Sequence, residues 1–479
     1  MIRHKHDIVI VGAGSGGYAA ARTSHDFGCD VAMIDVGPLG GLCILRGCMP
    51  SKALIASSDA LYDAHEATQL GIHASGLRTD IPAIFARKRV LVKEFADYRI
   101  EGIERFPLYM GRAKFISPTE VAVGDDHVVE GKQFVIATGS LVPPAALTGL
   151  METGYVDTDA VLELERIPES VIVLGGGYTA CELGQFLARM GAKTTILIRS
   201  DHLLTHEDDD VGKALTHYFA GEGIDVVTGA TLLRAEARGD KKAIQFTVGG
   251  DHRLVVADEI FYALGRVPNV EGFDLEKAGV AYHAIKGIDV DPTLRTSNPK
   301  IYAVGDVTGI DMLVHVAIYQ GEVAARNACL EGKERADYGL ITAHSVFCDP
   351  QVAAVGKSEK MLQREGIRYV SGRYDFAEHG KAQCLGKTKG FVKMMADAND
   401  GRILGAAVIG PQGSELIHEV IVAMNFKSTV AEFMRIPHLH PTLAEIWTYP
   451  AEECAAQLGL KVPGDEQVEL ATSLDATPH

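Results

Sequence analysis

Two stretches of this chain share one order of apolar and polar positions. Residues 7–21, DIVIVGAGSGGYAAA, pass from an apolar strand pattern through a cluster of glycines into a helical pattern. Residues 170–184, SVIVLGGGYTACELG, repeat that order. A second apolar run follows each, CDVAMID at 29–35 and AKTTILIR at 192–199. The first glycines of the two turns, Gly12 and Gly175, stand 163 residues apart. The pattern predicts a duplicated strand–turn–helix–strand unit, and hence an α/β chain.

Other apolar strands end in small residues: FVIATGS (134–140) and IYAVGDVTG (301–309), with YALGRVPN (262–269) between them. From about Ile341 the texture changes. Strand patterns such as KGFVKMMAD and ILGAAVIG are followed by the helical SELIHEVIVAMNF, which predicts a separate α+β domain. The last residues, from about Lys461 to His479, are polar and read as a loose tail. A length of 479 residues fits about three domains, and 47% hydrophobic residues suffice for full-sized cores. No apolar run approaches the roughly 18 residues that span a membrane. The first strand begins so early that a signal peptide has no room, so a cytoplasmic location is expected. The net charge of −17 argues against nucleic acid or an anionic membrane as partner.

The glycine turns add chemistry to the pattern. A tight turn, close approach of backbone to a pyrophosphate and close helix–strand packing each exclude a side chain. The helix N-terminus then offers free N–H groups and a favourable dipole to phosphates. Gly12, Gly14 and Gly17 fill all three positions in the first unit; Gly175, Gly177 and Ala180 fill them in the second. Both units are therefore expected to be Rossmann-like and to bind dinucleotides. The end of the second strand selects the ligand. Asp35, 23 residues after Gly12, can accept hydrogen bonds from a free ribose hydroxyl, whereas Arg199, 24 residues after Gly175, suits a 2′-phosphate.

Of eight cysteines, only Cys43 and Cys48, in GGLCILRGCMPSKAL, are close in sequence. A disulfide framework is not expected in such a chain, so the other six read as unremarkable thiols. The pair could be a metal site, two core thiols or a redox couple. Structural zinc usually needs four ligands, and no second close pair of cysteines exists. On a regular helix, residues five apart have Cα atoms about 8.6 Å apart. A disulfide needs less than about 7 Å. Gly47 and Pro50 supply the irregularity that would bring the sulfurs together, so the residues favour a close pair and no metal.

With these motifs in order, and with HPTLAE at 440–445, the chain resembles the FAD-dependent pyridine nucleotide–disulfide oxidoreductases over about residues 5–455. Within that family it is most like dihydrolipoyl dehydrogenase, with glutathione reductase-like and mercuric reductase-like features in the second nucleotide unit. The resemblance implies an FAD domain at 1–149 completed by 271–340, an NAD(P) domain at 150–270 and a dimerisation domain at 341–460. Cys43 would exchange with the substrate's sulfur, and Cys48 would face the flavin as a thiolate. Lys52 and Glu182 would pair beside the flavin. Asp306 would bind its ribityl chain, and Met312, Leu313, Val314 and His315 would start a helix beneath its ring. Gly41, Ala113, Thr138, Gly139, Ser140 and Gly265 are further implied cofactor positions, and Tyr178 would cover the nicotinamide pocket. His440, oriented by Glu445, would be the acid–base group, supplied by the other subunit of a homodimer. A thiolate nucleophile needs such a base near neutral pH. His438 reads instead as a loop histidine.

The chain departs from the family's pattern in places. Leu42 replaces a threonine before the first cysteine, and Leu45 and Arg46 occupy positions that are usually small or amide-bearing. Arg46 would be a solvated loop charge, or would lower a thiol pKa or meet an acidic substrate or carrier domain. Arg199 and Ala180 favour NADP over NAD, although Thr205 stands where a second arginine is expected. The expected substrate is a lipoamide-like dithiol, free or on a lipoyl carrier protein. Glutathione reductase and mercuric reductase are the rivals. Neither the C-terminal vicinal cysteines nor the N-terminal metal-binding domain of the latter is expected here, since the sequence shows no such motif.

Overall fold

The computed structural model describes residues 1–460, so the expected tail at 461–479 lies outside the described residues. The first glycine-turn unit is strand β1 (Ile2–Val11), helix α1 (Ser15–Asp26) and strand β2 (Val31–Asp35). Ile8, Val9, Ile10 and Val11 are all buried, as a central parallel strand covered on both faces requires. β1 lies parallel between β2 and the strand His127–Ile136, with Val9 opposite Ala32 on one side and Phe134 on the other. Ile301–Ala303 also pairs with His127–Ile136 in parallel, so the strand that leads to Asp306 belongs to the sheet begun at the N-terminus. The turn between β1 and α1 needs its third glycine. A Cβ on Gly17 would lie 1.9 Å from the Gly12 carbonyl oxygen, so α1 can pack this close only without one.

The second unit repeats the plan. Ser170–Leu174 lies parallel between Lys193–Leu197 and Glu259–Tyr262, and helix Tyr178–Arg189 makes the crossover. Neither this helix nor α1 has a side-chain cap, which leaves their first-turn N–H groups free for a ligand. The C-terminal region is a five-stranded antiparallel sheet with the order 344–346, 351–356, 403–410, 391–397 and 369–375. Helix Gly413–Asn425 buries Leu416, Ile417 and Val420 against it. The architecture is thus mixed α/β, with two Rossmann-like units and a C-terminal α+β sheet. No helix among the described residues is long and apolar enough to cross a membrane.

One apolar core ties these regions together. Leu54 and Phe85 pack with Leu183 and Phe186 of the second unit and with Cys348 and Phe391 of the C-terminal sheet. The rings of Phe85 and Phe186 meet edge-on with centroids 6.5 Å apart. Each such buried side chain stabilises by about 1.5–3 kcal/mol. This seam sets the helix that carries Lys52 against the helix that carries Glu182.

The expectation of six isolated thiols is corrected. The sulfurs of Cys29, before β2, and Cys329, near the end of helix Val314–Leu330, are in contact, with the Cα atoms 6.5 Å apart. They are 300 residues apart in sequence, so no local spacing could signal the contact.

Candidate active site

Helix α2 (Gly41–Arg46) stops at Gly47, and helix α3 (Cys48–Glu66) starts immediately after it. A Cβ on Gly47 would lie 3.1 Å from both the Cys43 Cα and the Leu42 carbonyl oxygen, so glycine permits this break. The break places Cys43 within α2 and Cys48 at the first position of α3. Both are free, half-buried thiols within hydrogen-bonding reach of each other. That contact and the nearby Lys52 charge bring the Cys48 pKa down to about 7, against the opposing effect of burial. The same contact, with burial, pushes Cys43 up. The two directions make Cys48 the more acidic thiol of the pair. The N-terminus of α3 adds to the preference. Arg46 is not the cation that acts here: its Nη1 points to Asp159 Oδ2 at 3.2 Å.

Lys52 stands one turn further along α3. Its Nζ is 2.8 Å from Glu182 Oε2 and 4.5 Å from the centre of the Phe347 ring. Glu182 Oε1 accepts the Phe347 backbone N–H at 2.9 Å. The ion pair thus joins three parts of the chain. Glu182 is buried, and removing either partner would leave the other charge poorly compensated.

Cys43 and Cys48 open onto a cavity of about 610 Å³. Gly12, Gly14, Asp35 and Gly41 form one end of its wall, and Ala113, Thr138, Gly139 and Ser140 another. Asp306, Met312 and Val314 also face it, whereas Gly17, Lys52, Leu313 and His315 do not line it. Asp35 already accepts the backbone N–H groups of Ala13 and Gly37, both at 2.7 Å. Ser140 Oγ donates to Asp306 Oδ2 at 2.6 Å. Among the lining residues absent from the sequence-based site are Arg266 and Asn269. Arg266 donates to the Ser140 carbonyl at 2.9 Å, and the Asn269 carbonyl accepts from Thr138 Oγ1 at 2.7 Å. Both belong to GRVPN, so the motif was the available signal. The long cavity, its glycine wall and the uncapped α1 N-terminus suit a dinucleotide with a pyrophosphate.

The second unit keeps Gly175 and Gly177 at its turn, and Tyr178 begins the helix. Tyr178 does not stand alone. Its hydroxyl donates to Glu207 Oε1 at 3.1 Å, and His344 Nε2 bonds the same oxygen at 2.7 Å. The rings of Tyr178 and His344 stack with centroids 5.6 Å apart. Burial would lower the His344 pKa, but the Glu207 bond and charge prevail and raise it. Burial, then Glu207, push Tyr178 up. Glu207 and His344 carried no sequence signal, being 137 residues apart. Arg199 is exposed just beyond strand Lys193–Leu197, and Gly265 lies with positive φ ahead of Arg266.

His440 Nδ1 is 2.8 Å from Glu445 Oε2, as the HPTLAE spacing implied. The His440 side chain is 81% exposed and does not line the cavity that holds the cysteines. His438 turns to Glu419 Oε1 at 2.5 Å and takes no part in the dyad.

A family model described as pyridine nucleotide-disulphide oxidoreductase matches residues 6–321, and its dimerisation domain matches residues 342–451. The chain belongs to the pyridine nucleotide-disulphide oxidoreductases. The oxidoreductase is 35% identical over 454 residues to a dihydrolipoyl dehydrogenase of Chlamydia muridarum, covering 93% of this chain and 96% of that one. It is 31% identical over 445 residues to a mercuric reductase of Bacillus cereus, covering 92% and 70%. Among solved structures, the Cu(II) complex of the HOCl-induced flavoprotein disulfide reductase RclA of Escherichia coli matches with a TM-score of 0.83 at 25% identity, covering 94% and 99%. The family depends on FAD and uses a pyridine nucleotide. The oxidoreductase is thus an enzyme, its close Cys43–Cys48 pair fits the family's redox disulfide, and its dimerisation domain supports a homodimer.

Proposed function

We propose that the enzyme oxidises a lipoamide-like dithiol through Cys43–Cys48 and FAD to a pyridine nucleotide, in the manner of a dihydrolipoyl dehydrogenase. The supporting observation is the polarised cysteine pair: Cys48, near Lys52, is the more acidic thiol of the two. In the oxidised pair, a substrate thiolate attacks Cys43 Sγ. The Cys43–Cys48 bond breaks, and Cys48 leaves as the thiolate favoured beside Lys52. His440 of the partner subunit takes the substrate thiol's proton. The second substrate thiol then attacks the substrate sulfur bonded to Cys43 and closes the substrate disulfide, while Cys43 departs and takes up that thiol's proton. His440 keeps the first proton as the imidazolium. Two electrons now rest on the cysteine pair. Bound FAD would supply the acceptor for them and the hydride donor to the nicotinamide.

The residues that would hold the flavin are the cavity wall from Gly12 to Asp35, the Thr138–Ser140 turn, Asp306 and the start of helix Val314–Leu330. Lys52 and Glu182 would stand beside its ring. Gly175, Gly177, Arg199 and Gly265 would hold the pyridine nucleotide, with Tyr178 over the nicotinamide pocket. Arg199 supports NADP(H). The domain limits inferred from sequence, the cytoplasmic location and a lipoyl carrier protein as partner complete this reading.

A panel of dihydrolipoamide, lipoyl carrier protein, glutathione disulfide and Hg(II), each with NAD(H) and NADP(H), tests it. Dihydrolipoamide oxidation, lost in Cys43→Ser and Cys48→Ser, is expected. Turnover of glutathione disulfide or Hg(II) without lipoamide would replace the substrate assignment. A kcat/KM favouring NADH over NADPH would overturn the NADP assignment.

A further inference from the structure

The carboxylate of Glu445 has two oxygens, and the His440 dyad uses only one. Oε2 holds His440 Nδ1 at 2.8 Å. Oε1 lies 3.6 Å from Nε2 of His379. His379 is 1% exposed. Its Nδ1 accepts the Ala382 backbone N–H at 3.4 Å and so caps the short helix Gly380–Leu385. A ring nitrogen that accepts carries no proton, so the neutral ring bears its hydrogen on Nε2. Nε2 has no hydrogen-bond partner of its own among the described residues, which leaves a buried donor near the unused oxygen of Glu445. Burial, followed by the nearby His440, keeps His379 below the ordinary histidine range despite the Glu445 charge. The other titratable groups packed here are Tyr449, edge-on to the His379 ring at 6.2 Å, and Tyr374, stacked on Tyr449 at 3.9 Å. Neither supplies a charge near neutral pH.

We propose that His379 is a positioning residue for the acid–base dyad: its Nε2–H, 3.6 Å from the second oxygen of Glu445, attracts that oxygen and thereby biases the plane of the carboxylate that orients His440. This rests on the reading of His440 as the acid–base group. A carboxylate held on one oxygen can swing about its terminal torsion; an attraction on the other oxygen opposes that swing. Within its own chain His440 is exposed, and Glu445 is the one hydrogen-bond partner of its ring among the described residues. His379 itself transfers no proton and stays neutral through the cycle.

The decisive variant is His379→Asn in the flavin-loaded homodimer. The asparagine amide oxygen still caps the helix, but the side chain is too short to reach Glu445. Dihydrolipoamide oxidation is compared with NAD(P)H-driven ferricyanide reduction, which needs no thiol proton transfer. The expected result is a fall of about fivefold in the ratio of the two activities, the scale of one weak polar attraction to a charged group. The acid limb of the kcat/KM profile for dihydrolipoamide should move to lower pH, because a carboxylate that swings away no longer favours the His440 imidazolium. His440→Gln runs in parallel. If it retains full dihydrolipoamide turnover, the acid–base reading of the site fails. If it loses turnover while His379→Asn keeps the wild-type ratio and pH limb, the positioning role is overturned. Equal loss of both activities in His379→Asn would mark a purely structural residue and would also overturn it.

Discussion

The molecule holds two histidine–glutamate pairs of nearly equal length in opposite surroundings. His344 and Glu207 meet at 2.7 Å, His440 and Glu445 at 2.8 Å. His344 has both ring nitrogens engaged, Nε2 by Glu207 and Nδ1 by the Thr342 carbonyl, and its face is covered by Tyr178. His440 has only Nδ1 engaged among the described residues, and its side chain is 81% exposed. The first pair has no nitrogen left for a substrate. The second presents Nε2 to whatever docks against it. Identical chemistry therefore gives a structural tie in one place and an available base in the other, and burial makes the difference.

The strongest way to break this contrast is His440→Gln. Loss of a general base should slow dihydrolipoamide oxidation by about 10²–10⁴-fold. The stability of the subunit's own fold should change by no more than about 0.5 kcal/mol, because within its chain the side chain is exposed. Steady-state kinetics and denaturant melts on one preparation check both halves. Glu207→Ala should show the reverse pattern. It strands His344 and the Tyr178 hydroxyl, and should cost about 2–3 kcal/mol of stability. Dihydrolipoamide turnover at saturating nucleotide should fall less than tenfold. A larger kinetic than thermodynamic effect would mean that the buried pair does more than hold structure.

Lys52→Met extends the contrast to the third ion pair. It removes the cation that lowers Cys48 and should raise the thiolate midpoint from about 7 by about one unit, followed by absorbance of the reduced protein. An unchanged midpoint would leave the Cys43 hydrogen bond as the sole cause. The smallest effect concerns pH and stability. His344 has a folded pKa raised above its unfolded value near 6.5. Its stabilisation is therefore fully present below about pH 6.5 and is lost as pH rises through the folded pKa. The stability difference between wild type and Glu207→Gln should narrow on passing from pH 6 to pH 9, and a constant gap would contradict a charged His344.

Local spacing made much of the fold and part of the site legible. The glycine turns of Gly12–Gly17 and Gly175–Ala180 announced both nucleotide units, because the constraint acts within a few residues of chain. Gly47 and Pro50 announced the break between the cysteines for the same reason. HPTLAE placed His440 and Glu445 within reach because five residues of tight turn fix their separation. The partner of Arg46 was not legible: Asp159 lies more than a hundred positions away and pairs with it at the surface. The Cys29–Cys329 contact was missed on the same ground.

The sequence by itself determined the strand–turn–helix units, the paired cysteines and the histidine–glutamate spacing, all set by short-range backbone geometry. Only the tertiary structure supplied the physical cause of the more acidic Cys48, which lies in its contact with Cys43 and in a lysine one helical turn away. It also decided that Glu207 holds His344 and Tyr178, and that His379 stands behind Glu445. Those meetings depend on how whole sheets and helices pack their apolar faces, and packing joins residues that no periodicity along the chain can connect.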